Sequence, residues 1–103
     1  MARKARKIDA TEDEFRASVV DMATRFKWRV YHVLDSRKSI KQGNGFPDLV
    51  LLRRGQLMFV ELKTKDGRLE PKQVEWRDEL REAGQDWRLW RPADMDAIER
   101  ILR

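Results

Sequence analysis

The fold of this chain is constrained most by two apolar segments, 48–53 and 56–63, which are separated by Arg54 and Gly55. A two-residue linker that contains glycine, placed between segments rich in Leu, Val and Phe, predicts a β-hairpin. Large apolar side chains occupy both alternating sets of positions, so both faces of the hairpin need to be covered. The sequence therefore predicts a sheet with helices packed on its two sides.

Helices are predicted before and after this hairpin. Thr11 and Glu14 have the spacing of a capping box, and an apolar stripe of helical period follows them. Pro71 suits the first turn of a helix, and Gly84 suits the end of one. The predicted helices are 12–27, 71–83 and a last helix that Asp94 caps.

Two more strands are predicted from composition. The segment 28–34 is rich in β-branched and aromatic residues, and a short strand over 87–91 ends at Pro92. The polar, glycine-containing segment 35–45 is typical of a loop. These elements give the order αβββαβα, an α/β fold in which a central mixed sheet is flanked by helices.

The chain has 103 residues, of which 41% are hydrophobic, and this predicts one compact domain over 11–103. A domain this small would gain stability from a partner subunit. The formal net charge is +5, but most of it belongs to a basic arm, 1–10, that we expect to be disordered. The cations of that arm are Arg3, Lys4, Arg6 and Lys7.

The residue types that are missing exclude several kinds of site. The sequence has no cysteine and a single histidine, His32, which excludes disulfides, thiolate metal sites and an ordinary zinc site. No apolar run approaches the roughly 18 to 20 residues that a membrane span needs. We expect a soluble, cytoplasmic protein in which any metal ion is held by oxygen.

The hairpin predicts a specific meeting of charged side chains. A loop at Arg54 and Gly55 aligns the two strands so that Asp48 lies directly opposite Glu61. Their Cβ atoms would be about 4.5–5.5 Å apart, and two like charges at that distance are unfavourable without a cation. Lys63 projects from the same face as Glu61 because side chains alternate along a strand.

Two carboxylates with no softer ligand nearby suit Mg²⁺ or Mn²⁺. Such an ion polarises a phosphoryl oxygen and lowers the pKa of water, and a neighbouring lysine can stabilise the charge that develops on the phosphate. The arrangement is typical of a phosphodiester hydrolase. The alternative is that Glu61 and Lys63 are a surface charge pair on an exposed strand.

The same residues resemble a known family. Residues 45–48, Gly-Phe-Pro-Asp, followed by 61–63, Glu-Leu-Lys, are similar to the PD-(D/E)XK nuclease signature. Gln73 at the start of a helix, together with Glu14 in the first helix, resembles the virus-type replication-repair nuclease (VRR-NUC) pattern. This resemblance implies a restriction-endonuclease-like α/β/α core.

The resemblance also implies roles for individual residues. Asp48 and Glu61 would bind the metal, Glu14 would reach it directly or through water, and the backbone carbonyl of Leu62 would be a further ligand. Lys63 would assist the attacking water. Gln73 would position groups at the site. Two of these residues have alternative explanations, because Glu14 can cap its helix and Gln73 can be an inward-facing amide with partners of its own.

Basic and aromatic residues are candidates for DNA contact. Basic residues in the loop before Asp48, and others beside the predicted site, could hold phosphates, although each could also be part of a solvated face. Aromatic residues could stack on bases, with core packing as the alternative. The basic candidates are Arg37, Lys38, Lys41, Lys65 and Lys72; the aromatic ones are Trp28, Tyr31 and Trp90.

We therefore expect a Mg²⁺- or Mn²⁺-dependent DNA endonuclease. By resemblance to small junction resolvases, its substrate would be branched DNA and its assembly a homodimer or a larger symmetric oligomer. By analogy it would act in the bacterial cytosol or in a phage-infected host cell. The alternatives are a non-catalytic DNA-binding module on the same fold and a basic nucleic-acid adaptor.

Overall fold

The computed structural model describes residues 8–32 and 45–103. The elements follow the predicted order αβββαβα, with an additional 3₁₀ turn before the last helix. None of the described helices is long and apolar enough to cross a membrane. The elements are α1 (Glu12–Arg25), β1 (Arg29–His32), β2 (Leu49–Arg53), β3 (Gln56–Leu62), α2 (Pro71–Glu82), β4 (Asp86–Trp90), the 3₁₀ turn Pro92–Asp94, and α3 (Met95–Leu102).

The four strands form one mixed sheet, as predicted, in the order β1-β2-β3-β4. The first three strands are antiparallel, and β4 runs parallel to β3. Leu49 pairs with Val60 and Arg53 pairs with Gln56, which confirms the predicted hairpin register. Arg54 and Gly55 have φ values of 47° and 82°, because a tight turn that matches the strand twist needs positive φ at both central residues.

One side of the sheet, which we call the core face, carries Leu49, Leu51, Met58, Val60 and Leu62, all of them buried. Helices α1 and α3 supply the other half of this core. The apolar residues of these helices recur every three or four positions, which places them on the side of each helix that faces the sheet. The helical residues in the core are Phe15, Val19, Met22, Ala23, Met95, Ile98 and Leu102.

The opposite side, which we call the site face, carries Val50, Leu52, Leu57, Phe59 and Glu61. Helix α2 lies on this side, yet none of its 12 residues, all of which are described, is buried. Leu52 and Leu57 remain 43% and 38% exposed. Both faces are therefore covered, as predicted, but the site face is covered less completely than the core face.

Two sequence predictions about local structure need correction. Trp28 lies before β1 rather than in it, and its buried indole N–H donates to the carbonyl of Leu102 at 2.9 Å. Asp94 is the N-cap residue of α3, as predicted, but its side chain makes no capping hydrogen bond to that helix. Its carboxylate instead accepts the backbone N–H of Arg91 at 2.8 Å, which stabilises the 3₁₀ turn.

Some predictions fall outside the described residues. They are the first part of the basic arm, the end of the first predicted strand, most of the loop that follows it, and three of the candidate DNA-contacting residues, Arg37, Lys38 and Lys41.

Candidate active site

The segment before β2 is held against helix α2, and this fixes where Asp48 lies. Gly45 has φ of 85°, and a Cβ atom there would lie 2.6–2.7 Å from atoms of Lys72, two of them backbone. A side chain at position 45 would therefore push the segment off the helix. Phe46 packs edge-on against Trp76, with ring centroids 4.9 Å apart, and against Phe59 at 6.1 Å. The close glycine contact and the aromatic cluster together position the start of β2.

Asp48 directly precedes β2, and the observed register, continued by one pair, places it opposite Glu61. Its Oδ2 accepts the backbone N–H of Leu62 at 2.8 Å. This bond crosses between the two strands and holds the carboxylate beside the end of β3. The geometric part of the prediction for Asp48 and Glu61 is confirmed.

Glu61 is 2% exposed and is the only charged residue that is buried within 8–32 and 45–103. Its Oε1 accepts a hydrogen bond from the amide nitrogen of Gln73 at 2.8 Å. Its Oε2 is buried and has no hydrogen-bond partner. A buried carboxylate oxygen without a partner is energetically unfavourable, so this atom needs a proton or a cation.

The pKa of Glu61 is consistent with this requirement for a proton or a cation. Burial, the negative charge of Asp48 and, in the protonated form, a hydrogen bond to Asp48 raise the pKa of Glu61 from 4.5 to about 9. The ammonium group of Lys63 partly offsets this rise, and the carboxylate of Glu12 adds to it. Lys63 and Glu12 therefore shift the pKa of Glu61 in opposite directions, and the catalytic role of Lys63 stays a prediction.

Lys63 lies just beyond β3, and its backbone N–H donates to the carbonyl of Trp90 at 3.0 Å. The turn that follows is held by Arg91, whose guanidinium donates to the carbonyls of Thr64 and Gly67, both at 2.7 Å. Arg91 was not among the predicted site residues. It fixes the chain immediately after Lys63 and so restricts where the ammonium group can reach.

Gln73 connects α2 to the site. Its Oε1 accepts the backbone N–H of Glu70 at 2.8 Å, which caps the helix and leaves the amide nitrogen to face Glu61. Gln73 therefore caps its helix and also contacts the candidate site, because its amide oxygen makes the first contact and its amide nitrogen makes the second.

Glu14 forms the predicted capping box. Its Oε1 accepts the backbone N–H of Thr11 at 2.9 Å, and the hydroxyl of Thr11 accepts the N–H of Glu14 at 3.1 Å. Among the residues that the structure describes, no three acidic or histidine side chains form a group that could hold a metal ion. Glu14 is thus not grouped with Asp48 and Glu61, and its role as a ligand stays a prediction.

Leu62, Lys65 and Lys72 are further predicted residues that the structure describes. The N–H of Leu62 is bonded to Asp48, while the ligand role of its carbonyl stays a prediction. Lys65 is exposed in the turn after β3. Lys72 is exposed on the first turn of α2, with its ammonium nitrogen 3.5 Å from a carboxylate oxygen of Glu75.

The donor atoms of the site fit a hard divalent cation. Asp48 and Glu61 offer carboxylate oxygens, and Oε2 of Glu61 has no hydrogen-bond partner. No thiolate competes, because the sequence contains no cysteine. Oxygen donors of this kind suit Mg²⁺ or Mn²⁺ better than softer metals.

Comparison with known proteins identifies the family. The sequence model of the VRR-NUC domain matches residues 9–92, which span every element from α1 to the end of β4. The chain belongs to the VRR-NUC family. The match covers Asp48, Glu61, Lys63 and Gln73, so the predicted motif lies within the matched domain.

Solved structures of VRR-NUC domains share the fold. A structure described as a VRR_NUC domain protein has a TM-score of 0.70 and 24% identity, and the alignment covers 90% of this chain and 86% of that one. Another, described as a VRR_NUC domain, has a TM-score of 0.69 and 22% identity, covering 86% and 95%. No curated protein matches the chain. At these identities the two structures support the fold, and the family is a nuclease family.

Proposed function

We propose that this VRR-NUC protein is a Mg²⁺- or Mn²⁺-dependent endonuclease that hydrolyses phosphodiester bonds in DNA. The observation that carries the proposal is the buried Glu61 carboxylate, whose Oε2 has no partner and which lies opposite Asp48. A purely structural role would leave two acidic groups together at the end of an apolar hairpin, with Oε2 of Glu61 buried and without a hydrogen-bond partner.

Each residue of the site has a task in this proposal. Asp48 and Glu61 would hold the divalent ion, which supplies Lewis-acid polarisation of the phosphoryl oxygen and a lowered pKa for water. Lys63 donates hydrogen bonds from its ammonium group, either to the attacking water or to a phosphate oxygen as negative charge develops there. Gln73 holds the Glu61 carboxylate in one orientation through its bond to Oε1.

DNA is the proposed substrate, with a branched or otherwise structured form and a homodimeric enzyme as finer proposals. Lys65 and Lys72 are exposed and lie within two residues of Lys63 and Gln73 in the sequence, so they are the candidates for contacts with phosphates of the substrate. The branched substrate, the dimer and action in the cytoplasm of a bacterial or phage-infected cell rest on family resemblance. A non-catalytic binding module is disfavoured because the acidic pair and Lys63 are all present.

A cleavage panel tests the proposal. Synthetic four-way junction, flap and linear duplex DNA are incubated with the full chain in Mg²⁺, Mn²⁺ or EDTA. We expect cleavage with either metal, none in EDTA, and a loss of about 100-fold or more in Glu61→Gln and Lys63→Met, as for other groups that stabilise a transition state. Glu82→Gln, at the exposed end of α2, is the matched control and should keep full activity.

Binding of all three DNAs without cleavage in either metal would refute the nuclease proposal and favour the binding module. Cleavage by Glu61→Gln at the rate of the parent protein would refute the assigned site.

A further inference from the structure

The aromatic residues that could stack on bases are in very different environments. Trp28 and Trp90 are buried in the core. Tyr31 lies on β1 at the edge of the sheet and is 65% exposed, the largest exposure among the large hydrophobic side chains described. Of these three candidates, Tyr31 alone can reach a ligand.

Tyr31 projects from the same face of the sheet as the acidic pair. It lies directly opposite Val50, which in turn lies opposite Phe59 on β3. Asp48 is two residues before Val50, so Tyr31 and Asp48 are diagonal neighbours on adjacent strands. Such neighbours have Cβ atoms about 7–8 Å apart, within reach of an aromatic side chain. The phenol ring is therefore within reach of the candidate metal site.

Away from the acidic pair, the surface beside Tyr31 is apolar and cationic. Arg29 lies two residues earlier on the same face, is exposed, and pairs with Leu52 across the strands. Leu52 pairs in turn with Leu57, and both leucines are partly exposed. We call the surface formed by Arg29, Tyr31, Val50, Leu52 and Leu57 the Tyr31 platform. An aromatic ring with a cation beside it is the combination that single-stranded nucleic acid binds.

We propose that Tyr31 stacks on a nucleobase of the substrate strand next to the scissile phosphate, beside the site formed by Asp48 and Glu61. A base can stack on this ring only when it is unpaired and turned out of its helix. The platform would therefore make the protein prefer DNA with unpaired nucleotides beside the cleavage position. This inference rests on the proposed function and adds a substrate preference to it.

The charge of the platform favours DNA over a second copy of this chain. In a two-fold contact centred on these residues, each copy would bring the same surface, which contains no acidic residue to pair with Arg29 of the other copy. A nucleic-acid strand instead offers phosphates to Arg29 and bases to Tyr31. The proposal thus commits to an unpaired DNA strand as the occupant.

Binding measured without cleavage tests the platform. Fluorescence anisotropy in EDTA gives the Kd of the full chain for a single-stranded oligonucleotide, for a duplex with a short single-stranded gap, and for the intact duplex. Tyr31→Ala and Tyr31→Leu should weaken binding of the first two by roughly 5- to 100-fold, and of the intact duplex less than about 2-fold. Tyr31→Phe should stay within about 2-fold of the parent protein on all three. Ile8→Ala, an exposed apolar residue outside the platform, is the control.

Three outcomes would overturn the inference. Tyr31→Phe as weak as Tyr31→Ala would mean that the phenol hydroxyl, not the ring face, makes the contact. Equal losses on single-stranded and intact duplex DNA would remove the preference for unpaired bases. A change in mass from dimer to monomer in Tyr31→Ala, measured by sedimentation, would identify the platform as an interface between copies.

Cleavage assayed alongside separates the two proposals. Binding to single strands that depends on Tyr31, in a parent protein that never cleaves, supports the platform and contradicts the nuclease proposal. Cleavage by the parent protein with unchanged binding by Tyr31→Leu contradicts the platform alone.

Discussion

The two faces of the sheet are built differently. The core face is closed by α1 and α3, and its five strand residues are all buried. The site face is covered by α2, which buries none of its residues, and its apolar side chains remain partly exposed. Yet Glu61, the one buried residue with an ionisable side chain among the described residues, is on the site face. Burial is therefore concentrated on one face, whereas the proposed site lies on the other face, which is more open to a ligand.

Neighbouring leucines on opposite faces give the largest expected contrast. Leu51→Ala removes a fully buried side chain and should lower the free energy of unfolding by about 2–5 kcal/mol. Leu52→Ala, which is 43% exposed in the parent protein, should lower it by less than about 1 kcal/mol. Urea unfolding of both variants measures this difference. Equal losses would show that the site face is packed as tightly as the core face.

The pH dependence of stability tests the site face specifically. Because the pKa of Glu61 is raised from 4.5 to about 9, the folded state keeps a proton that the unfolded state has lost. This contribution is complete below pH 4.5 and is lost as the pH rises through about 9. In EDTA, stability should fall by up to about 1.4 kcal/mol per pH unit between pH 5 and 9. Glu61→Gln should show a shallower slope in the same melts, and an identical slope would place the proton elsewhere.

Arg91 is expected to act through position rather than contact. Arg91→Met removes both bonds to the turn after Lys63, and should lower kcat by roughly 10-fold while leaving Mn²⁺ affinity unchanged, as expected when a catalytic group loses its alignment. Arg88→Met is the control, since the Arg88 guanidinium pairs with Asp86 on an exposed surface. A fall in Mn²⁺ affinity equal to the fall in kcat would mean that Arg91 supports the acidic pair instead.

The smallest expected effect separates two glutamates of α1. Glu12 adds negative charge to the field at Glu61, whereas the carboxylate of Glu14 is bonded to Thr11. We expect Glu12→Gln to weaken Mn²⁺ binding by a few-fold, in line with a screened charge near the surface. Glu14→Gln should leave Mn²⁺ binding nearly unchanged and lower the melting temperature slightly. Weaker Mn²⁺ binding by Glu14→Gln, with unchanged binding by Glu12→Gln, would instead support Glu14 as a ligand of the ion.

Local signals in the sequence predicted the acidic pair well. The Arg54 and Gly55 turn fixes the hairpin register, and the register brings Asp48 opposite Glu61. Other features depend on tertiary distances that periodicity does not carry. The Arg91 guanidinium donates to the carbonyls of Gly67 and Thr64, which are 24 and 27 positions away in the sequence. Because these acceptors are backbone atoms, the residue types at those positions do not indicate the contact. The apolar stripe of α2 likewise does not reveal how loosely that helix covers the sheet.

The exposure of Tyr31 could not be predicted for a related reason. Trp28, Tyr31 and Trp90 are all aromatic residues in or beside predicted strands, and their sequence contexts are alike. Their burial differs because Trp28 and Trp90 pack toward the core, whereas Tyr31 is on an edge strand and on the open face. Edge position and face together, rather than residue type, decide which aromatic residue is available to a ligand.

The most direct test of the site is calorimetric titration of the full chain with Mn²⁺ at pH 7, in two buffers with different ionisation enthalpies. Since metal ligands must be deprotonated and the pKa of Glu61 is about 9, binding should release about one proton per ion. Glu61→Gln should lose the binding and the proton release together, and Glu82→Gln should keep both. Mn²⁺ binding of equal strength in Glu61→Gln, or binding without proton release in the parent protein, would contradict a metal site built on Asp48 and Glu61.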